Sequence, residues 1–281
     1  MSKSTDELPG IYAAELLCSA PPRLDRASLL AAIRSRLPDT QPLDDNPQSN
    51  LLAFVHPKHA VIYKEGALPA QSFVHVSDQP PKAEFFAESI QQSWAFKDAA
   101  ASASKCRATV FVSDMMASGL DYRDRLALFQ NTLLAVLWLV PCDGVHLHAS
   151  RQIVHPKWIT DALAQDPPPS FAAGVVNIRM FNISNATPGE KVMDSLGLSA
   201  LGLCDVQCHF RNLEPSAVAR VLYNTAAYLF ERGDVIGDGH TIEGIHPGSK
   251  WRCQHEDSLV PPTRVVLDLN PGAPFAAGGR T

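Results

Sequence analysis

The stretch from Asp205 to Gly233, DVQCHFRNLEPSAVARVLYNTAAYLFERG, contains both of the periodicities that decide the fold. Apolar and polar side chains alternate over 205–211, which is typical of a half-buried strand. Pro215 suits the first turn of a helix, and Gly233 can adopt the left-handed conformation of a C-terminal cap. The residues between them form an apolar stripe of Val218, Val221, Leu222, Tyr228 and Leu229. We therefore predict a strand followed directly by a helix over 214–232.

The first half of the chain contains a similar arrangement. Residues 107–113 are rich in β-branched side chains and indicate a core strand, and Asp121 is a suitable N-cap for a helix over 121–140. In both halves an Asp-Gly turn then precedes a further strand, at Asp143-Gly144 and at Asp238-Gly239. Because few long helices stand among many short strands, we predict an α+β fold. It consists of two similar α+β halves with mixed or antiparallel sheets covered by helices.

A run of prolines suggests where one half ends. Pro167, Pro168 and Pro169 cannot continue a helix and are typical of a connector. We place the N-terminal α+β half at 1–170 and the C-terminal half at 171–272. The remaining residues, 273–281, are rich in Pro, Gly and Ala and are expected to form a flexible tail.

Composition and charge limit the possible partners. The 281 residues include 24 Lys and Arg against 29 Asp and Glu, so no basic excess favours nucleic acid. The longest apolar run, 133–140, is far shorter than the roughly 20 residues of a membrane-spanning helix. The first ten residues are polar and acidic, unlike a secretory signal. We therefore expect a cytoplasmic protein that binds neither nucleic acid nor membrane, with its six cysteines present as free thiols.

Two histidines are the most suggestive metal ligands. His146 and His148 lie two residues apart in a predicted strand over 145–149, so both imidazoles project to the same side and could chelate a divalent ion. A third ligand is needed, and His155 is the nearest candidate along the sequence. The alternative is that both are ordinary hydrogen-bonded histidines of a strand, which requires no metal.

The cysteines offer a weaker metal pattern. Cys204, Cys208 and His209, with Cys253 and His255 farther along, include soft ligands that zinc prefers. However, Cys208 and His209 would project to opposite faces of the predicted strand. Neither a phosphate-binding glycine loop nor a serine-nucleophile motif is present. The sequence therefore predicts no cofactor, no metal and no catalytic residue.

Two groups of charged residues are candidates for binding. Arg123 and Arg125 flank Asp124 at the start of the helix over 121–140, where a guanidinium could bind an anion or form an ion pair. A second group is acidic and surrounds the end of the helix over 214–232; it contains Glu231, Asp234, Asp238 and Glu243. Such a patch can steer a basic protein partner, although the same residues could simply form a solvated turn.

Several separated motifs resemble one known family. The runs MDSLGLSALGLCDVQCHF at 193–210 and FERGDVIGDG at 230–239 are similar to a bacterial family described as domain of unknown function 4261. Trp251-Arg252-Cys253 and the earlier segment 121–125 resemble its other signatures, so the likeness spans about 110–270. The resemblance implies a soluble bacterial protein, in some members associated with contact-dependent toxin delivery. It supplies no catalytic residues.

These observations favour a non-enzymatic, cytoplasmic protein-binding module. The specific expectation is an immunity or chaperone-like partner of a bacterial toxin or secreted effector. The alternative is a metal-assisted hydrolase that uses His146 and His148. A third possibility is an assembly protein whose only task is to join other chains.

Overall fold

The computed structural model describes residues 10–43, 50–183 and 187–278. The chain divides into two compact units between Val175 and Val176. We call them the N-terminal unit (10–175) and the C-terminal unit (176–278). Each unit contains a β-sheet with at least one helix packed against it, so the fold is α+β, as the sequence predicts.

Within the described residues, the N-terminal unit contains a seven-stranded sheet and five α-helices. Its strands are β1 (Ala13–Cys18), β2 (Gln41–Pro42), β3 (Leu51–Tyr63), β4 (Gly66–Ser77), β5 (Ala108–Met115), β6 (Gly144–Leu147) and β7 (Gln152–Val154). Its helices are α1 (Arg26–Arg34), α2 (Ala87–Gln92), α3 (Ala99–Lys105), α4 (Tyr122–Leu139) and α5 (Pro156–Gln165). A short 3-10 helix, Ala83–Phe86, leads into α2.

The first strand of the chain lies in the middle of this sheet. The strand order is β2-β3-β4-β5-β1-β6-β7, and each neighbouring pair is antiparallel. Strand β1 is thus inserted between β5 and β6, where Glu15 is opposite Phe111 on one side and His146 on the other. Directly opposed residues in a sheet share a face, so this pairing brings Glu15 beside the predicted histidines.

Helices α2 and α3 cover part of that same face. Leu17, two residues after Glu15, packs in a buried apolar cluster with Phe86, Ala99, Cys106 and Ile153. Alternate residues of a strand share a face, so Glu15 lies on the face that these helices partly cover.

The C-terminal unit contains a six-stranded sheet and one α-helix within the residues that the structure describes. Its elements are β8 (Asn177–Asn182), β9 (Glu190–Leu196), β10 (Asp205–Arg211), α6 (Pro215–Arg232), β11 (Thr241–Glu243), β12 (Lys250–Asp257) and β13 (Val265–Asn270). The strand order is β11-β12-β13-β10-β9-β8. The sheet is mixed, because β10 and β13 are parallel while the other neighbours are antiparallel.

The two predicted long helices are confirmed with small changes at their ends. Helix α4 begins after Asp121, whose side chain accepts a hydrogen bond from the backbone N–H of Arg123. Helix α6 begins with Pro215 and ends before Gly233, whose φ of 79° is positive as predicted, but whose ψ of −173° lies outside the left-handed helical region. No helix in the described ranges combines the length and the apolar character needed to cross a membrane.

A buried network of charges holds the C-terminal sheet together. Asp194 Oδ2 on β9 accepts hydrogen bonds from Arg179 at 2.6 Å and from Arg264 at 2.7 Å. Arg264 also donates to Asp205 Oδ2 at 3.0 Å, and Ser195 donates to Asp205 Oδ1 at 3.0 Å. The motif at 193–210 therefore supplies structural ion-pair partners, since these groups are satisfied by one another and buried.

Candidate functional site

The strongest cluster of metal-ligating side chains lies in the N-terminal unit. One donor atom from each of Glu15, His146 and His148 lies within 4.8 Å of the other two. His148 Nε2 is 3.8 Å from Glu15 Oε2. The two histidines share a face as predicted, with their ring centroids 4.5 Å apart. The third member is Glu15 and not His155, which instead caps α5 by accepting a hydrogen bond from the Lys157 N–H.

Each imidazole of this cluster has a buried nitrogen available for a ligand. Among the described residues, nothing hydrogen-bonds to His146 Nδ1 or to His148 Nε2. The other ring nitrogen of His146, Nε2, is 2.9 Å from Ser89 Oγ. Phe86 contacts the His146 ring edge-on, and Phe111 does the same for His148. The rings are therefore held in place while one nitrogen of each is left unpaired.

Burial sets the protonation of these groups. It lowers the pKa of His146 to about 3 and that of His148 to about 4, so both imidazoles are neutral near pH 7. Burial also raises the pKa of Glu15, against a smaller opposing effect of a hydrogen bond from Thr109. Neutral imidazole is the form that binds a metal, so a cation would not have to displace a proton from either ring.

A cleft of about 300 Å³ adjoins the two histidines. It is lined by Phe85, Glu88, Ser89, His146, His148 and Arg151. Arg151 Nη1 donates to Glu88 Oε2 at 2.9 Å across the cleft. Arg151 has φ of 46°, a left-handed conformation that is uncommon outside glycine, in the turn between β6 and β7. The cluster is thus open on one side to a space with room for a small molecule.

A second cluster lies in the C-terminal unit and contains Cys204, Asp234 and His255. Cys204 Sγ donates to Asp234 Oδ2 at 3.0 Å, and His255 Nε2 is 3.9 Å from Asp234 Oδ1. Asp238 Oδ1 accepts the His255 backbone N–H at 2.7 Å and lies 2.8 Å from its Nδ1. Burial, together with Asp234, raises the pKa of Cys204 to about 12. This cluster brings Asp234 and Asp238 of the predicted acidic patch together with Cys204 and His255 of the weaker metal pattern.

The other members of that cysteine pattern have different positions. Cys208 and Cys253 are fully buried in the core as small apolar side chains. His209 Nε2 lies 2.8 Å from Glu190 Oε1. These three residues are therefore separate from the cluster of Cys204 and His255.

Of the remaining charged candidates, one is buried and three are exposed. Arg125 is buried and forms a bidentate ion pair with Asp114, one of the two roles expected from the sequence. Arg123 is exposed and its guanidinium lies over the Tyr122 ring. Glu231 and Glu243 are exposed at the end of α6 and in β11.

Sequence reasoning missed Glu15. It lies in an apolar segment with no nearby motif, and it joins the histidines only because β1 pairs with β6. The period-two spacing of His146 and His148 predicted two of its three members. No signal in one sequence identifies which distant strand supplies the rest.

Comparison with known proteins assigns part of the C-terminal unit. No curated protein and no solved structure matches the chain. One family model matches, that of a domain of unknown function (DUF4261), over residues 194–270. The matched segment contains the 193–210 motif from Asp194 onward and the whole second cluster, whereas the segment 121–125 lies outside it. Residues 194–270 of this chain are therefore similar to the DUF4261 family.

Proposed function

We propose that the N-terminal unit binds a divalent transition-metal ion, with Zn²⁺ as the best fit, at Glu15, His146 and His148 and uses it for metal-assisted hydrolysis. The observation that carries this proposal is the pair of buried, unpaired imidazole nitrogens beside a carboxylate and an open cleft. Two histidines and one glutamate are a common ligand set of catalytic zinc, which keeps a further position free for water.

The surroundings of the ligands support the same interpretation. When His146 binds a metal through Nδ1, its Nε2–H can donate to Ser89 Oγ, which fixes the tautomer and the ring orientation. A bound zinc ion lowers the pKa of a coordinated water to about 7 and so supplies hydroxide as a nucleophile. Glu88 lines the same cleft and carries a carboxylate that can accept a proton from that water.

The cleft also limits the substrate. A volume of about 300 Å³ is at the lower end of ordinary ligand sites, which favours a small molecule or a single side chain. Arg151 provides a guanidinium that can pair with the carboxylate or phosphate of a ligand that competes with Glu88 for it. We therefore propose a small ester, amide or phosphoester that bears an anionic group.

Zinc binding to metal-free protein tests the site directly. Isothermal titration calorimetry would compare Glu15→Gln and His148→Gln with the parent in a Cys204→Ser background, which removes a possible thiolate ligand. Each variant should weaken binding by more than the roughly 10- to 100-fold typical of losing an outer-shell partner. His56→Gln is the matched control, because His56 is also buried in this unit but both of its ring nitrogens have partners, Thr40 and Ser72.

Hydrolysis is tested with p-nitrophenyl acetate and p-nitrophenyl phosphate. Turnover of at least one should require added zinc, disappear in Glu15→Gln and persist in His56→Gln. Absence of zinc binding in the parent would overturn the proposal. So would turnover that is unchanged by both ligand substitutions.

Protein binding is the second candidate function, and one surface favours it. The β3–β4 hairpin ends in apolar side chains that are well exposed, with Ile62 80% exposed and Leu68 47% exposed. Asp234 and Asp238 of the acidic patch, by contrast, are already bonded to Cys204 and His255. The hairpin end is thus the better candidate for contact with a toxin or effector.

Crosslinking of the native protein in its own cells, read by mass spectrometry, would locate such a contact. The purified partner should then bind Ile62→Ser/Leu68→Ser at least tenfold more weakly than the parent. Asp234→Asn/Asp238→Asn is the comparison variant and should bind unchanged. If only Asp234→Asn/Asp238→Asn binds more weakly than the parent, the acidic patch becomes the favoured surface. If both variants bind as tightly as the parent, both surfaces are excluded.

A further inference from the structure

We propose that Cys204, Asp234 and His255 form a second zinc site, within the segment 194–270 that matches the DUF4261 family model. This site is independent of the catalytic site proposed for the N-terminal unit, because it shares no residue with it and uses a different set of donor atoms. It is built from sulfur, nitrogen and oxygen, all of which zinc accepts.

The three ligands come from three separate parts of the C-terminal unit. Cys204 precedes β10 directly, Asp234 follows the cap of α6, and His255 lies in β12. One donor atom of each is within 4.8 Å of the others. A single ion there would fasten the connection between α6 and β11 to two strands of the sheet.

Asp238 gives the histidine the orientation that a zinc ligand needs. The Asp238 carboxylate accepts one hydrogen bond from the His255 backbone N–H and another from Nδ1–H of the same residue. The lone pair of Nε2 is then on the side of Asp234. A carboxylate behind a ligating histidine is the usual outer-shell arrangement of zinc sites, where it fixes the tautomer and strengthens the ligand.

The charges balance when the ion binds. The Cys204 thiol loses its proton to solvent and its hydrogen bond to Asp234 is replaced by coordination of both groups to the metal. Thiolate and carboxylate together neutralise the two positive charges of Zn²⁺, and His255 remains neutral. With three protein ligands, a water molecule completes the tetrahedron.

The same residues could be mistaken for a cysteine nucleophile with its histidine base. The geometry argues against that, because the thiol hydrogen is directed to a carboxylate and not to the imidazole. A neighbouring carboxylate disfavours a thiolate in the absence of a cation, whereas activated cysteines lie in electropositive surroundings. A bound cation would instead favour the thiolate form of Cys204.

Cobalt substitution tests the proposal with a signal that only this kind of site can give. Co²⁺ bound through a thiolate shows a sulfur-to-metal charge-transfer band in the near ultraviolet. The parent protein should develop this band as Co²⁺ is added and lose it on addition of Zn²⁺. Cys204→Ser should abolish the band, and Asp238→Asn should weaken Co²⁺ binding by about 10- to 100-fold.

The controls separate this site from the other one. Cys142→Ser, which replaces a partly exposed cysteine of the N-terminal unit, should keep the band. Glu15→Gln should also keep it, since the first site contains no sulfur. Absence of the band in the parent, or its survival in Cys204→Ser, would overturn the proposal. Rapid alkylation of Cys204 by iodoacetamide at pH 7 with zinc in excess would overturn it too and indicate a nucleophile.

Discussion

The two units place metal-ligating side chains in contrasting surroundings. In the N-terminal unit, Glu15 and two histidines stand beside a cleft, with two imidazole nitrogens unpaired. In the C-terminal unit, Cys204 and His255 are already bonded to Asp234 or Asp238, and the residues that line a cleft of about 630 Å³ there do not include them. The first cluster therefore adjoins a space that could hold a substrate, whereas an ion at the second would join three separate parts of its unit.

The sheets differ in a related way. Both units contain three successive antiparallel strands followed by a long helix, β3-β4-β5-α4 and β8-β9-β10-α6. The next place in the sheet is taken by antiparallel β1 in one unit and by parallel β13 in the other. The buried polar groups differ too, since the C-terminal sheet contains a network of two arginines and two aspartates. Similar local patterns thus lead to different sites.

The largest effect is expected from breaking that network. Asp194→Asn leaves the guanidiniums of Arg179 and Arg264 without their shared carboxylate in a buried place, which should cost about 3–5 kcal/mol in the free energy of unfolding. Urea unfolding followed by the fluorescence of buried Trp251 measures it, after the three tryptophans of the N-terminal unit are replaced by Phe.

An exposed ion pair of the N-terminal unit is the control for that measurement. Asp161 pairs with Lys157 one helical turn away, and both side chains are at least half exposed. Followed by the fluorescence of the N-terminal tryptophans in a Trp251→Phe background, Asp161→Asn should change the free energy of unfolding by no more than about 0.5 kcal/mol. If Asp194→Asn also costs less than about 1 kcal/mol, the buried network does not stabilise the unit.

Paired core truncations test whether the units unfold separately. Leu133 of α4 and Leu222 of α6 are both essentially inaccessible, so Leu133→Ala and Leu222→Ala should each cost about 2–5 kcal/mol. Leu222→Ala should shift the transition reported by Trp251 in the background without the N-terminal tryptophans. Leu133→Ala should shift the transition reported by those three tryptophans in a Trp251→Phe background. Equal shifts of both transitions by either variant would mean that the units unfold together.

Acid should destabilise the N-terminal unit through His56. Burial lowers the pKa of His56 to about 4, against 6.5 for an unperturbed histidine, so the unfolded chain binds the proton first as pH falls. The contribution of His56 to the free energy of unfolding is therefore fully present above about pH 6.5. It falls by about 3 kcal/mol as the pH is lowered from there to pH 4. Unfolding free energies of the parent and of His56→Gln, measured from pH 7 to 4, should diverge accordingly. Parallel pH profiles would contradict the assignment.

The smallest effects concern the caps of the two long helices. Asp121 accepts the N–H of Arg123 at 2.9 Å, whereas Glu214 accepts the N–H of Ser216 at 3.4 Å. Asp121→Ala should therefore cost about 1 kcal/mol, and Glu214→Ala only a few tenths. Thermal unfolding of both variants measures the difference, and a larger loss from Glu214→Ala would show that the hydrogen-bond distances do not rank the caps.

Local features of the molecule follow from the sequence. The helices over 121–140 and 214–232 were predicted because apolar residues recur at helical spacing between a capping residue and Gly233 or Pro141. The shared face of His146 and His148 follows from the two-residue period of a strand. The α+β class follows from the order of such patterns along the chain. Each of these depends only on residues that are close in sequence.

Only the tertiary structure decided which distant residues meet. Glu15 joins the histidines because β1 is inserted between β5 and β6 in one particular register, and a shift by one residue would turn its side chain to the other face. Cys204, Asp234 and His255 meet because a loop, a helix end and a strand converge. Strand order and register depend on the packing of the whole sheet, whereas periodicity and caps depend on a few neighbouring residues. Two of the three members of the first cluster were therefore visible as a group in the sequence, and the members of the second were visible only in two separate patterns.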